Sequence, residues 1–246
     1  AGIEGPRDGE VGVIFARRTS DNMVKAVVPS FCTHPNTLEG EEFYSADLVG
    51  ATRQVIRGAL GEHVGIAYLT AAAGDTAPSI MENNKENQQP WRGEAGWRRS
   101  GQYLGGEILK VIASTIEPMQ SHTIAFVRET QTNPLTHRRL SGRGAEFSGW
   151  KDGRNSYTHS RDNWDRLMRE DNPVPVRLGV LRLCDAAICY NPVELYCALG
   201  LAIKEKSPAT LTLIGELTDD WQGYLPTADA IERGGYSARA ASHTRL

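Results

Sequence analysis

The fold class is decided by residues 186–217, AAICYNPVELYCALGLAIKEKSPATLTLIGEL. The apolar run Ala186–Tyr190 predicts a strand, and the pattern from 192 to about 204 predicts a helix. A second apolar run, at 210–217, predicts another strand after that helix. A strand, a helix and a further strand in succession form the repeating unit of α/β folds, so this stretch predicts an α/β domain.

The same alternation extends upstream. Strand patterns occur at 12–17, 24–32, 64–70, 123–130 and 174–183, and helical patterns occur from about 45 and over about 99–116. We therefore predict a single α/β domain over residues 1–246, with a mixed sheet flanked by helices. The stretch at about 131–173 is rich in Gly, Arg, Asp and Trp and has weak periodicity, which predicts an irregular loop excursion.

Composition excludes some classes of partner. The chain has 27 basic and 30 acidic residues, a net charge of −3, which gives no basis for binding nucleic acid. It has no run of roughly 18 apolar residues, so we expect no integral membrane segment. The four cysteines form no CxxC pair or disulfide framework, and the first residues are polar rather than signal-peptide-like. These features favour a cytoplasmic location, and the sequence does not indicate an oligomeric state.

Polar clusters follow four of the predicted strands. They are Thr33-His34-Pro35, Gly74-Asp75-Thr76-Ala77-Pro78, Asn191-Pro192-Val193-Glu194 and Asp219-Asp220-Trp221-Gln222-Gly223-Tyr224. Loops at the carboxyl ends of strands converge in α/β sheets, so we expect these clusters to meet. If His34, Glu194 and Tyr224 converge, they form a plausible metal site at the strand ends, because imidazole and carboxylate are ligands that suit Zn²⁺.

Each of these residues also has a structural interpretation. His34 precedes a proline and could be a turn residue. Asn191, Pro192 and Glu194 have the spacing of a capping box at the start of the predicted helix. Tyr224 could be a partly buried aromatic residue at a strand-to-helix corner.

Five segments, taken in order, resemble the N-terminal catalytic domain of neutral/alkaline ceramidases. Residues 27–38 resemble a strand that ends in a zinc-binding histidine, and residues 44–50 resemble the family's Ser-x-Asp-x-x-Gly motif. Residues 71–78 resemble its Gly-Asp-x-Ser-Pro loop, and residues 191–196 resemble its Pro-x-Glu-Phe motif. Residues 217–227 resemble a segment with a metal-binding tyrosine. The resemblance extends from about Gly5 to Tyr236, nearly the whole chain.

The resemblance implies an activity and a cofactor. By position, it implies that His34, Glu194 and Tyr224 bind Zn²⁺. In that family zinc activates a water molecule and polarises an amide carbonyl. The implied reaction is hydrolysis of a linear amide bond in N-acyl-sphingosine or another N-acyl compound. The implied partner is therefore a small-molecule or lipid-like amide.

Departures from the family pattern suggest a divergent member. The family takes a further zinc histidine from an upstream His-x-His segment, whereas no histidine precedes Gly12, so the chain resembles one without its N-terminal part or without that ligand. Ala77 stands where the family has a serine, which leaves Asp75 and Thr76 as candidate catalytic residues. Trp221 stands where the family usually has a tyrosine.

Three functional hypotheses follow. The first is a zinc-dependent amide hydrolase. The second is a catalytically inactive ceramidase-like binding or scaffold module, which the alanine at 77 and the missing histidine suggest. The third is a metal-free hydrolase in which Asp75 and Thr76 act together, although the sequence has no Gly-x-Ser-x-Gly elbow to support it.

Overall fold

The structure is a computed structural model that describes residues 5–78, 89–132 and 175–233. Its strands are β1 (Gly12–Arg17), β2 (Val24–Phe31), β3 (Gly65–Ile66), β4 (Leu69–Thr70), β5 (Ile124–Gln131), β6 (Val176–Leu183), β7 (Ala186–Tyr190), β8 (Glu194–Leu195), β9 (Leu211–Gly215) and β10 (Tyr224–Leu225). Its helices are α1 (Asp47–Leu60), α2 (Gly93–Ser114), α3 (Cys197–Lys206) and α4 (Ala228–Arg233). The mixed α/β class predicted from the sequence is confirmed.

The first sheet is built around β2, which pairs antiparallel with β1 and parallel with β3 and β4. Helices α1 and α2 share a buried core with this sheet, and Val27, Ile56 and Ile108 in that core are fully buried. The two helices approach closely at Gly101, where an added Cβ would lie 2.3 Å from the Cβ of Ala51. The apolar face of each helix therefore covers the sheet.

The second sheet has the strand order β5-β6-β7-β9. The pairs β5–β6 and β6–β7 are antiparallel, and β7 and β9 are parallel. Helix α3 lies between β7 and β9 along the chain, so the strand–helix–strand order predicted from 186–217 is confirmed. A second buried core joins this unit to the end of β2 and includes Cys32, Ala72, Val193 and Ile214.

The segment after β7 differs from its sequence-based interpretation. The predicted helix starts at Cys197 rather than at 192, because Glu194 and Leu195 form β8 and pair in parallel with β10. Their neighbours take part in the same ladder: the Tyr196 amide donates to the carbonyl of Leu225 at 3.2 Å. The capping-box interpretation of Glu194 is therefore wrong, since this residue lies in a strand and not in the first turn of a helix.

The single mixed sheet predicted from the sequence is divided into three. β8 and β10 form a separate two-stranded sheet, and the predicted strand at 64–70 consists of β3 and β4 with a break between them. The Glu216 amide donates to the Thr70 carbonyl at 3.1 Å, which ties the end of β9 to β4. The second helix begins at Gly93, earlier than its apolar pattern indicates.

The remaining sequence-based expectations have mixed outcomes. The predicted excursion at about 131–173 lies almost wholly outside the described residues. In the part of the chain that the structure describes, no helix is long and apolar enough to cross a membrane. All four cysteines are unpaired; Cys32 and Cys197 are buried, whereas Cys184 and Cys189 are partly exposed.

Candidate functional site

Two of the three predicted ligands lie side by side in the β8–β10 ladder. Glu194 and Tyr224 are direct register partners in this parallel pair. The ladder extends on the N-terminal side of both strands: the Glu194 amide donates to the Gly223 carbonyl, and the Gln222 amide donates to the Pro192 carbonyl, both at 2.8 Å. Backbone pairing therefore places Glu194 and Tyr224 next to each other on adjacent strands.

The third residue, His34, is fixed by a single carbonyl group. It follows the end of β2, and its backbone amide donates to the Thr76 carbonyl at 2.9 Å. Its ring Nδ1 lies 3.1 Å from the same oxygen. A carbonyl oxygen only accepts hydrogen bonds, so Nδ1 carries a proton and Nε2 is directed to the other side of the ring.

The three side chains meet. The Nε2 atom of His34 lies 2.9 Å from Oε2 of Glu194. The rings of His34 and Tyr224 are stacked with centroids 6.2 Å apart, and the Tyr224 phenol hydrogen-bonds to the Glu194 carboxylate. The structure thus brings together an imidazole, a carboxylate and a phenol that are up to 190 positions apart in sequence (224 − 34).

The electrostatics of the site favour a positive charge beside Glu194. Burial alone lowers the pKa of His34, but the hydrogen bond to Glu194 and the nearby Glu216 carboxyl reverse this effect and raise the pKa to about 9. Burial raises the pKa of Glu194, but three side-chain donors outweigh it and hold that pKa below its usual range. These donors are His34, Trp221 and Tyr224.

The donor set fits a metal cation. With a proton on Nδ1, the neutral His34 ring has a lone pair on Nε2, which faces the carboxylate oxygen of Glu194 at 2.9 Å. Two lone pairs repel each other at this distance, so the pair as it stands shares a second ring proton, which a metal cation bound to both atoms would replace. A histidine held through its other nitrogen by a backbone carbonyl is the usual arrangement of a metal-binding imidazole. Imidazole nitrogen and carboxylate oxygen are both ligands that Zn²⁺ accepts.

The cluster is not a site made only of common metal ligands. Over residues 5–78, 89–132 and 175–233, no group of three or more His, Cys, Asp and Glu side chains is arranged to hold a metal ion. The cluster has two such side chains, and the Tyr224 phenol would be its third ligand.

The loop with the candidate catalytic residues packs tightly against β8. The Gly74 amide donates to the Leu195 carbonyl at 2.8 Å, and an added Cβ at Gly74 would lie 2.4 Å from the Glu194 carbonyl oxygen. Oδ1 of Asp75 accepts a hydrogen bond from the Cys197 amide at 2.7 Å, at the start of α3. Thr76 contributes its carbonyl to His34. A catalytic role for Asp75 and Thr76 stays a prediction.

Glu216 is a neighbour of the site that the sequence analysis did not single out. Its side chain is buried, and Oε2 accepts a hydrogen bond from the Ala73 amide at 3.1 Å. Burial raises its pKa to about 8, although the hydrogen bonds from the Ala73 and Leu195 amides act in the opposite direction. The signal in the sequence was an acidic residue at the end of the apolar run TLTLIGEL, where a carboxyl group needs buried partners.

Comparisons with known proteins identify the fold. No protein-family model matches the chain, and no curated protein matches its sequence. Neutral ceramidase from Pseudomonas aeruginosa matches its structure with a TM-score of 0.68 and 10% identity, over 96% of this chain and 43% of that chain. A ceramidase complexed with C2 matches with a TM-score of 0.69 and 9% identity, over 95% of this chain and 45% of that chain.

These matches confirm at the level of the fold the resemblance inferred from the sequence. The chain has the fold of part of a neutral ceramidase, and about one residue in ten is identical to the residue at the matching position. It spans less than half the length of the two solved structures.

Proposed function

We propose that this chain contributes the His34, Glu194 and Tyr224 ligands to the active site of a zinc-dependent, ceramidase-like hydrolase of linear amide bonds. The observation that carries the proposal is the meeting of His34 Nε2 with the Glu194 carboxylate, which in turn is hydrogen-bonded to the Tyr224 phenol. Because the fold is that of part of a ceramidase, amide hydrolysis is the reaction that agrees best with this donor set.

Each residue has a defined task in this proposal. His34 binds zinc through Nε2, and the Thr76 carbonyl keeps the proton on Nδ1. Glu194 binds through Oε2, and Tyr224 binds through its phenol oxygen. Bound zinc would supply a Lewis acid that polarises the amide carbonyl and lowers the pKa of a water molecule. Structural zinc sites have four protein ligands, whereas catalytic sites keep a position open, so a set of three from this chain leaves room for substrate.

The solved structures with this fold support a choice of substrate to test. The two named above are ceramidases, so an N-acyl-sphingosine is the first amide to test, with other N-acyl compounds next. Ala77 provides no hydroxyl where the family pattern has a serine. Other groups must then orient the amide of the substrate, so the preferred substrate can differ from that of the ceramidases. A panel of amides is therefore needed rather than a single one.

The decisive experiment measures metal content and turnover together on the native gene product. We expect about one zinc per chain by mass spectrometry of metals, and amide hydrolysis that a strong chelator abolishes. His34→Ala should lose both zinc and activity, with metal affinity at least about 100-fold weaker. Removing a residue that binds the metal weakens metal affinity more than removing a residue that only hydrogen-bonds to a ligand. His122→Ala, at an exposed histidine, is the matched control and should keep zinc and activity.

Other outcomes identify the alternatives. Protein without metal that hydrolyses amides at an undiminished rate after chelation contradicts the proposal and favours the metal-free pair, Asp75 and Thr76. Protein that binds zinc but hydrolyses no member of an amide and ester panel contradicts the enzymatic role and favours a binding module.

A further inference from the structure

Trp221 combines exposure with a contact inside the site. Its side chain is 66% exposed, yet its indole Nε1–H donates to Oε1 of Glu194 at 3.2 Å. The indole therefore lies at the solvent side of the cluster and bonds to the carboxylate oxygen that does not face His34. A large, exposed apolar ring with one polar atom directed into a site needs an explanation beyond packing.

The backbone around Trp221 holds the indole in this place. The turn from Leu217 to Gly223 has three residues with positive φ: Leu217 at 54°, Asp219 at 68° and Gly223 at 82°. The Asp220 carboxylate accepts two hydrogen bonds: one from the Trp221 amide at 2.8 Å and one from Nε2 of Gln222 at 2.7 Å. These two hydrogen bonds hold the backbone and side chains on either side of the indole in place.

The contacts of Glu194 with His34 and with Trp221 involve different oxygens of its carboxylate. Oε2 lies 2.9 Å from His34 Nε2, and Oε1 lies 3.2 Å from Trp221 Nε1. A carboxylate with one oxygen hydrogen-bonded to a fixed donor cannot rotate freely about the Cγ–Cδ bond. The bond from Trp221 therefore directs Oε2 toward the cluster and disfavours a geometry in which both oxygens bind one cation.

We propose that Trp221 is a positioning residue that makes Glu194 a ligand through one oxygen; this inference rests on the proposed function. Indole suits the task because its N–H only donates, so it binds the carboxylate without competing for the metal as a histidine or a carboxylate would. A partner of this kind, bonded to a ligand rather than to the metal, typically contributes 10–100-fold to metal affinity, by rough estimate.

The first test compares two tryptophans that each donate one indole hydrogen bond. Trp221→Phe removes the N–H and keeps an aromatic ring, and Trp97→Phe removes the indole bond to the Asp47 carbonyl, which lies outside the cluster. Zinc dissociation constants are measured by competition with a chromophoric chelator. We expect a roughly 10-fold weaker constant for Trp221→Phe and an unchanged constant for Trp97→Phe. Equal constants for Trp221→Phe and the native protein, or equal losses in both variants, overturn the inference.

A second test examines the contact in protein without metal. In ¹⁵N-indole-labelled protein, the Trp221 indole N–H signal is identified as the one missing from the spectrum of Trp221→Phe. Glu194→Ala removes the hydrogen-bond acceptor, so it should shift the Trp221 indole proton signal upfield and leave the other indole signals unchanged. A signal that does not move overturns the inference. Native protein that binds zinc while Trp221→Phe binds it equally leaves the proposed function standing and removes the positioning role. Native protein that binds no zinc removes the proposed function and, with it, the positioning role.

Discussion

Two regions of the molecule differ in what they bury. In the strand-end site, which consists of His34, residues 74–76, Glu194, Glu216 and Tyr224, the carboxyl groups of Glu194 and Glu216 are buried and have partners, whereas Asp75 is exposed. The β5–β6 ribbon leaves apolar side chains in solvent: Ile124 is 75% exposed and Val127 is 61% exposed. A fold normally does the reverse in both cases.

The two regions also differ in how many segments hold them. Backbone hydrogen bonds join the site's segments: Gly74 to Leu195, Glu194 to Gly223, and Glu216 to Thr70. Among the residues that the structure describes, β5 pairs only with β6 and lies at the edge of its sheet. We therefore expect substitutions in the site to have large effects and substitutions in the ribbon to have small ones.

The largest effect is expected for Gly74→Ala. The new Cβ would lie 2.4 Å from the Glu194 carbonyl oxygen and 2.8 Å from its carbonyl carbon. Both are backbone atoms of β8, so relief requires moving the strand that holds Glu194. We expect a loss of about 3 kcal/mol in the free energy of unfolding, the upper end for overpacking, measured by urea denaturation.

Gly106→Ala is the matched control for this substitution. Gly106 lies in α2 with nothing within 4 Å of an added Cβ. The same change should raise the free energy of unfolding there by about 0.5–1 kcal/mol, because alanine favours a helix interior over glycine. Equal unfolding midpoints for the two variants contradict the close packing described for the 74–76 loop.

The next effect concerns the pH dependence that Glu216 gives to stability. Its pKa is raised from 4.5 to about 8 by burial, so the folded protein binds this proton more tightly than the unfolded chain does. The stabilisation is complete below about pH 4.5 and is lost as the pH rises through about 8. The charges of His34 and Glu194 act on this pKa in opposite directions and partly offset each other, which leaves burial as the main cause of the shift.

Glu216→Gln tests this in metal-free protein. Between about pH 5 and about pH 8, the unfolding free energy of the native protein should fall by roughly 2 kcal/mol more than that of the variant. One titrating group changes the unfolding free energy by at most about 1.4 kcal/mol per pH unit, so this expected change is below the maximum over that range. Exposed Glu117→Gln is the control and should follow the native profile. Parallel profiles for the native protein and Glu216→Gln contradict a raised pKa at this residue.

The sequence predicts some parts of this contrast and not others. The bounds Gly12–Arg17 and Ala186–Tyr190 are the same in the sequence prediction and the structure, because apolar runs between polar turns mark both ends. The site residues His34, Glu194 and Tyr224 were named because polar groups follow strands. β8 and β10 were not predicted, since two-residue strands have no periodicity and are defined only by their pairing with each other.

Long-range contacts explain the other errors. Glu194 has capping-box spacing in the sequence, and only the distant Tyr224–Leu225 segment gives it a strand partner. Glu216 lies at the end of an apolar run, and its hydrogen-bond donor, Ala73, is 143 positions away. Local pattern cannot show a partner at that separation, so the presence of the site could be predicted while its supporting contacts could not.

A smaller effect is expected for Asp75→Ala. Oδ1 of Asp75 accepts the Cys197 amide at the start of α3, so it acts as a cap supplied from another segment. We expect a loss of about 1 kcal/mol in the unfolding free energy, as for an N-cap removed by alanine. Exposed Glu62→Ala is the control, with a change below about 0.5 kcal/mol. If Asp75→Ala keeps native stability and zinc but loses turnover, the residue is catalytic rather than structural.

The smallest effect is expected for Val127→Thr on the β5–β6 ribbon, compared with Val27→Thr in β2. The two substitutions make the same chemical change, since each replaces a methyl group with a hydroxyl of similar size. Val127 is exposed, so its unfolding free energy should change by no more than about 0.5 kcal/mol. Val27 is fully buried in the first core, where an unpartnered hydroxyl costs roughly 2 kcal/mol. A loss of unfolding free energy at Val127 as large as that at Val27 would mean that the apolar face of the ribbon is covered in solution. The ribbon and the strand-end site would then both be buried.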